Sequence, residues 1–380
     1  MSHLFVTDNV LESLHLNYPV VYECYSQIKI KCFTYHPSCT NWNEIITWHK
    51  TRHPRPIFSW GDVREVNHIS NFLDSHYFTS VPKQLMKCGV SPDKIIYIGN
   101  HHAMVDQQDV HQHISKHMSS IFLRYFELDA VLRHNPIYDT RNNWQGPLTQ
   151  PNIKPSKKYL CMFGKPRKFM RIGAMIKMIE HSMHHDALIS SLAEKQGIDH
   201  STEWASQYWP KEQVHQTLTQ FQGSLDKVNY DAPETADSNY RGYPYDEKLY
   251  QNTLMSIIAE TNDIPIDKIP TLSQFFITEK TARTIYNKHP FIMLSTVNFL
   301  QKLRDLGYQT FNTIIDESYD IEKDPYQRLE MALTSARELC LHASSTQVKQ
   351  ICKHNFNHLH TVYALEHSRF INLLLYLSSK

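Results

Sequence analysis

Thr278, Glu279 and Lys280 open a helix-like stretch, TEKTARTIYN, directly after the apolar run Phe275-Phe276-Ile277. A helix N-terminus carries unpaired backbone N–H groups and a partial positive charge, so it suits an anionic group of a ligand. An acid beside a lysine at that end can hold a ribose and a diphosphate together. The combination points to a nucleotide-sugar site, and so to glycosyl transfer. A plain surface helix start would carry the same acid, because the helix dipole favours it there.

A second basic group is Lys165-Pro166-Arg167-Lys168 with Arg171, placed after an apolar strand-like run and at the start of a helix. Loops at the carboxyl ends of parallel strands are where open α/β sheets bind ligands. The planar fork of arginine can give a phosphate two hydrogen bonds at once. Solvated charge on a helix would look the same. An inverting transfer also needs a general base. Asp62, in Trp60-Gly61-Asp62-Val63-Arg64-Glu65, lies just past a strand-like segment as a base would, with Glu23, Glu65, Asp106 and His101 as rivals. A retaining transfer needs no such base.

Two clusters invite a metal reading. Asp316, Glu317 and Asp320 are acidic neighbours, and carboxylates suit Mg²⁺ or Mn²⁺. There is no Asp-x-Asp triplet, and a structural or loop-capping role is the preferred reading. His111, His113 and His117, the pair His184-His185, and Cys352 with His354, His358 and His360 are also grouped. None has a known zinc spacing, and 24 histidines make chance pairs common. No obligatory metal is expected.

Alternating apolar segments must position these residues. Tyr18–Tyr25, Pro56–Trp60 and Lys94–Gly99 read as short buried strands. Val81–Gly89 reads as a helix closed by glycine, and Ile114–Leu132 as an amphipathic helix. Residues Asn135–Lys157, with prolines at 136, 147, 151 and 155, mark a domain boundary. Lys158–Gly164 is then the first strand of a second domain, and Arg167–Ser182 its first helix. Asp226–Tyr245 is polar and turn-rich. Ser273–Asp320 reads as a helix, a buried strand, a second helix and a strand. Asp324–Ala343, Thr346–Ala364 and His367–Leu377 read as terminal helices.

The ordered series Leu254–Thr261 (LMSIIAET), Phe276–Lys280 (FITEK), Pro290–Leu294 (PFIML), Leu303–Tyr308 (LRDLGY) and Asp316–Asp320 (DESYD) resembles the donor-binding half of two-domain (GT-B) glycosyltransferases. Lys158–Arg171 is similar to the first strand and basic loop of the same domain. The resemblance covers roughly residues 157–335. It is nearest to a divergent viral, phage and marine-bacterial group and more distant from the α-1,3-fucosyltransferases. It implies an α/β fold of two Rossmann-like domains facing a cleft, with terminal helices crossing back to the first domain. The implied division is an acceptor domain at 1–140, a linker at 141–157, a nucleotide-sugar domain at 158–343 and returning helices at 344–380. It further implies Glu279 on the donor ribose, Lys280 on the diphosphate with Arg167 or Arg171, and Glu260 near the nucleotide. Thr278 shares the signature. Ile258-Ala259-Glu260-Thr261 stands where fucosyltransferases carry Phe-Glu-Asn, so the sugar does not carry over.

Composition sets the outer bounds. The 380 residues suffice for two domains, and 41% hydrophobic with 20% charged residues describe a folded, soluble chain. No apolar run approaches the roughly 20 residues that span a bilayer. The N-terminus lacks the pattern of a signal peptide, so a cytoplasmic location, host cytoplasm for a viral protein, is expected. Seven scattered cysteines contain no Cys-x-x-Cys pair and read as reduced thiols. A net charge of +1 provides no global field for nucleic acid. The expected donor is a UDP- or GDP-sugar. The expected acceptor is a glycan hydroxyl or a hydroxymethylated pyrimidine in phage DNA, where Trp42, Trp48, Trp60 and Trp144 are candidates to stack on a ring. The alternatives are a non-catalytic binding protein that retains the fold, and a nucleotide-dependent enzyme of another reaction.

Overall fold

The structure, a computed structural model, describes residues 4–7, 31–34, 57–61, 95–99 and 119–122, the isolated positions 47, 86, 89 and 91, and 155–378 apart from 165, 167, 192–196, 225–246, 261–274, 276 and 278. Contacts divide the chain into two units, Met1–Trp144 with Thr361–Lys380, and Gln145–His360.

Five strands form the first unit's sheet: β1 (Leu4–Thr7), β2 (Lys31–Thr34), β3 (Ile57–Gly61), β4 (Ile95–Gly99) and β5 (Ser119–Phe122). All pairs are parallel, in the order β2-β1-β3-β4-β5, and Gly61 faces Gly99 across β3 and β4. Two of the expected strands, 56–60 and 94–99, match β3 and β4 to within a residue at each end, while Tyr18–Tyr25 lies outside the described residues. β5 corrects the expected helix over Ile114–Leu132. Ser119-Ser120-Ile121-Phe122 pairs with β4 instead, a case of sheet pairing overriding a helical apolar period.

The second unit's sheet contains β6 (Lys157–Gly164), β7 (Ala187–Ser191), β8 (Thr253–Ala259) and β9 (Phe291–Leu294), all parallel in the order β7-β6-β8-β9. The central strands are predominantly apolar, as expected where both faces are covered. Tyr159 to Phe163, Ile257 to Ala259 and all of β9 are buried. Helix α1 (Phe169–Glu180) is buried at nine of its twelve positions. It is followed by α2 (Ile198–Ala205), α3 (Lys211–Ser224), α4 (Glu247–Gln251), α5 (Glu279–Tyr286), α6 (Phe299–Asp305), α7 (Pro325–His342) and α8 (Thr346–Ser378).

Two further expectations change. No strand follows α6, where turns lead to a 3₁₀ turn at Ser318–Asp320. The two terminal helices expected after His342 are one continuous α8. Residues 346–378 contain neither glycine nor proline, so nothing in the backbone interrupts the helix.

The buried His289 finds its partners inside this unit. His289 bonds the Thr253 carbonyl through Nε2 at 3.0 Å and the Ser256 hydroxyl through Nδ1 at 2.8 Å. A carbonyl only accepts, so Nε2 carries the proton and Nδ1 accepts from Ser256. Burial pushes the His289 pKa down to about 4.

Candidate functional site

Sheet order singles out one edge of the second unit. From β6 the chain passes to β7 on one side, and β8 and β9 lie on the other. The crevice beyond the carboxyl ends of β6 and β8 is therefore the switch point at which such sheets bind ligands. Met162 and Ile258 are register partners. Two residues further along each strand are Gly164 and Glu260, on neighbouring strands about 4.8 Å apart.

Gly164 ends β6 with φ +60°, a left-handed conformation in which a side chain is strained. A Cβ there would lie 3.4 Å from Arg171 Nη1, so the guanidinium rests against this backbone. Arg171 is buried. It belongs to the first turn of α1, which has no acidic residue in that turn and begins after Lys168, whose own side chain makes no capping hydrogen bond. The first backbone N–H groups of a twelve-residue helix, its dipole and the Arg171 guanidinium thus gather beside β6. Chemically, the arrangement favours an anion with several oxygens.

Glu260 continues β8, its N–H donating to Leu294 O at 3.1 Å. Its side chain is completely buried, and Oε1 accepts a hydrogen bond from the Thr281 hydroxyl. Thr281 also touches Met293 Sδ at 3.8 Å. The first turn of α5 is thereby fastened to the ends of β8 and β9. Lys280 precedes Thr281 and is half-buried, and Glu279 is the first residue of the helix. Arg283, also in α5, is buried.

Arg171, Glu260, Glu279 and Lys280 therefore fall on elements at or next to the carboxyl edge of one sheet. Asp62, Arg167 and Thr278 lie outside the described residues, as do Glu23, Glu65, His101 and Asp106. Gly164 and Thr281 were not singled out by sequence. The order apolar strand, glycine, basic loop, helix could have found Gly164. A hydroxyl beside Lys280 gives no sign of a partner 21 residues back in the chain.

The acidic cluster is structural. Asp320 accepts the N–H groups of Leu300 (2.8 Å) and Gln301 (3.0 Å) and so caps α6 from a distance. Glu317 accepts from Arg304 Nη1 at 3.0 Å, the Thr310 hydroxyl at 2.8 Å and Phe311 N at 2.6 Å. Asp316 closes a local turn onto Ser318. Burial pushes the carboxyl pKa of both Glu317 and Asp320 upward. The histidines of α8 clasp the turn after α6. His358 Nε2 donates to Leu306 O at 2.7 Å and His354 Nε2 to Gly307 O at 3.1 Å. Gly307 has φ +94°, and a Cβ there would come within 2.6 Å of the His358 ring. His111, His113 and His117 lie outside the described residues. Among the described residues no three or more His, Cys, Asp or Glu side chains form a group that could hold a metal ion. Cys161, Cys340 and Cys352 are free and buried. No described helix is long and apolar enough to cross a membrane.

No family model matches the chain, and no curated protein sequence does. Among solved structures, the chain is similar over its whole length, and over the whole of the other chain, to a DNA-modifying β-glucosyltransferase studied with and without uridine diphosphoglucose. The TM-score is 0.42 and the sequence identity 9%.

Proposed function

We propose that this protein is a nucleotide-sugar-dependent glycosyltransferase that moves a sugar from a UDP- or GDP-sugar to an acceptor hydroxyl. The observation that carries the reading is the grouping of Arg171, the basic start of α1 and the Lys280 end of α5 on elements at the switch point of a four-stranded parallel sheet. The ordered resemblance from Lys158 to Asp320 supports it.

In this reading the second unit binds the donor and the first unit the acceptor. The first turn of α1, Arg171 and Lys280 hold the diphosphate and stabilise the charge that develops on it as the glycosidic bond breaks. Arg167 and Thr278, close to these groups in sequence, contribute to the same binding, and Glu279 accepts hydrogen bonds from the ribose hydroxyls. In an inverting transfer Asp62 takes the acceptor proton. It follows Gly61, the last residue of β3, and β3 and β1 flank the switch point of the first sheet.

A thermal-shift series with UDP, GDP, ADP, CMP and their sugar conjugates, run beside Lys280→Ala, tests the donor site. A ligand of the native state raises Tm by mass action. The expected result is a rise with one nucleoside diphosphate that Lys280→Ala loses. Absence of any rise at millimolar ligand would sink the reading. The responding sugar nucleotide is then incubated with glycans or with hydroxymethylated DNA, and release of nucleoside diphosphate identifies the acceptor.

A further inference from the structure

We infer that Thr281 and Glu260 are positioning residues: their buried hydrogen bond sets the first turn of α5, and with it Lys280, against the carboxyl edge of β8. The inference rests on the donor site proposed above but assigns Glu260 a different task from contact with the nucleotide.

Glu260 has no solvent exposure at all, so a ligand arriving from water meets other groups first. A carboxylate in such a place is costly unless hydrogen bonds compensate it. Thr281 supplies one of these bonds from the neighbouring element, and the bond joins the end of β8 to the helix that carries Lys280. Thr281 is itself fully buried and also reaches Met293 on β9. The hydroxyl therefore sits where two strand ends and one helix start converge. Lys280, by contrast, is only half-buried. It has four rotatable bonds in its side chain, so its location depends on where the backbone of α5 is held. A helix start carried on a long connection from β8 has to be fixed by something other than chain continuity, and the Glu260–Thr281 bond fixes it. The first turn of α5 could have been attached by apolar packing alone. A hydrogen bond makes the attachment directional, since it is more sensitive to angle than a hydrophobic contact.

The test compares Thr281→Val, which keeps the shape and removes the donor, with Thr281→Ser, which keeps the donor. Amide hydrogen exchange is followed over residues 279–286 and, as a control, over 169–180. UDP and GDP affinities are measured for each variant with and without Lys280→Ala. Thr281→Val is expected to speed exchange in α5 while α1 stays as in the unaltered protein, and Thr281→Ser to restore it. The affinity for the nucleotide that binds is expected to fall about tenfold in Thr281→Val. In the Lys280→Ala background the further fall is expected to stay below about twofold, because the two changes remove one interaction. Unchanged exchange in α5, or a tenfold loss repeated in the Lys280→Ala background, would overturn the inference. If the unaltered protein binds neither nucleotide, the donor reading fails while the exchange data still decide whether Glu260 and Thr281 hold α5.

Discussion

Three helices of the second unit begin in two different ways. The starts of α6 and α7 are closed by carboxylates. Asp320 accepts two N–H groups of α6, and Asp324 accepts Tyr326 N and Gln327 N of α7, with Pro325 at the first helical position. The start of α1 has Lys168 at the cap position, with no capping hydrogen bond from its own side chain, no acid in the first turn, and Arg171 in that turn. Cations at a helix start oppose the dipole, which costs stability. Carboxylates thus close the starts of α6 and α7, whereas α1 begins with two basic side chains, Lys168 and Arg171, beside the end of β6.

The largest expected effect tests the basic start of α1. Arg171→Ala should lower turnover by about 10² to 10³-fold, the usual cost of removing one well-placed donor to developing charge. Steady-state release of nucleoside diphosphate measures it, and a loss under about threefold would remove Arg171 from the site.

Acid tests the closed interior. His289 is neutral in the fold with its pKa pushed down to about 4, whereas an exposed histidine titrates near 6.5. The unfolded chain therefore binds the proton first as pH falls. Stability present above about pH 6.5 should decline down to about pH 4 by roughly 3 kcal/mol from this group and then level. Glu317 and Asp320, whose pKa values are raised, change stability in the opposite direction, so the contribution is read as the difference between the unaltered protein and His289→Gln in denaturant melts. Equal pH profiles for the two would refute it.

Smaller effects separate the two kinds of helix start. Asp320→Ala should destabilise by about 2 kcal/mol and Asp324→Ala by about 1 kcal/mol, with nucleotide affinity unchanged in both. Lys168→Asp should do the reverse. It gives α1 the kind of cap that α7 has, so Tm should rise by the equivalent of about 0.5–1 kcal/mol while nucleotide affinity falls. A variant that gains stability without losing affinity would show that the basic start of α1 has no part in binding.

Local patterns made much of the second unit legible. The apolar run Lys158–Gly164 is β6 short of one residue, Pro290–Leu294 contains β9, and Asp324–Ala343 brackets α7. What local pattern does not contain is the choice of partner. The strand Ser119–Phe122 exists because β4 offers it a ladder. The Asp320 cap reaches a helix 20 residues earlier, and the Thr281 hydroxyl reaches an acid 21 residues earlier. Such links are decided when the elements meet, and they leave no period in the sequence. The basic residues were visible as a run, but the turn that brings Arg171 over Gly164 was not.

The clasp between Gly307 and His358 bears on descent. The ring occupies the space that any other residue at 307 would need, and it holds the carbonyl just before that residue. Change at either position exposes the other: a side chain at 307 expels the ring, and loss of the ring leaves a bare carbonyl beside a left-handed backbone. Relatives too diverged to match by overall sequence that keep this histidine should therefore keep this glycine as well, so the pair is a marker by which the lineage of the fold can be traced.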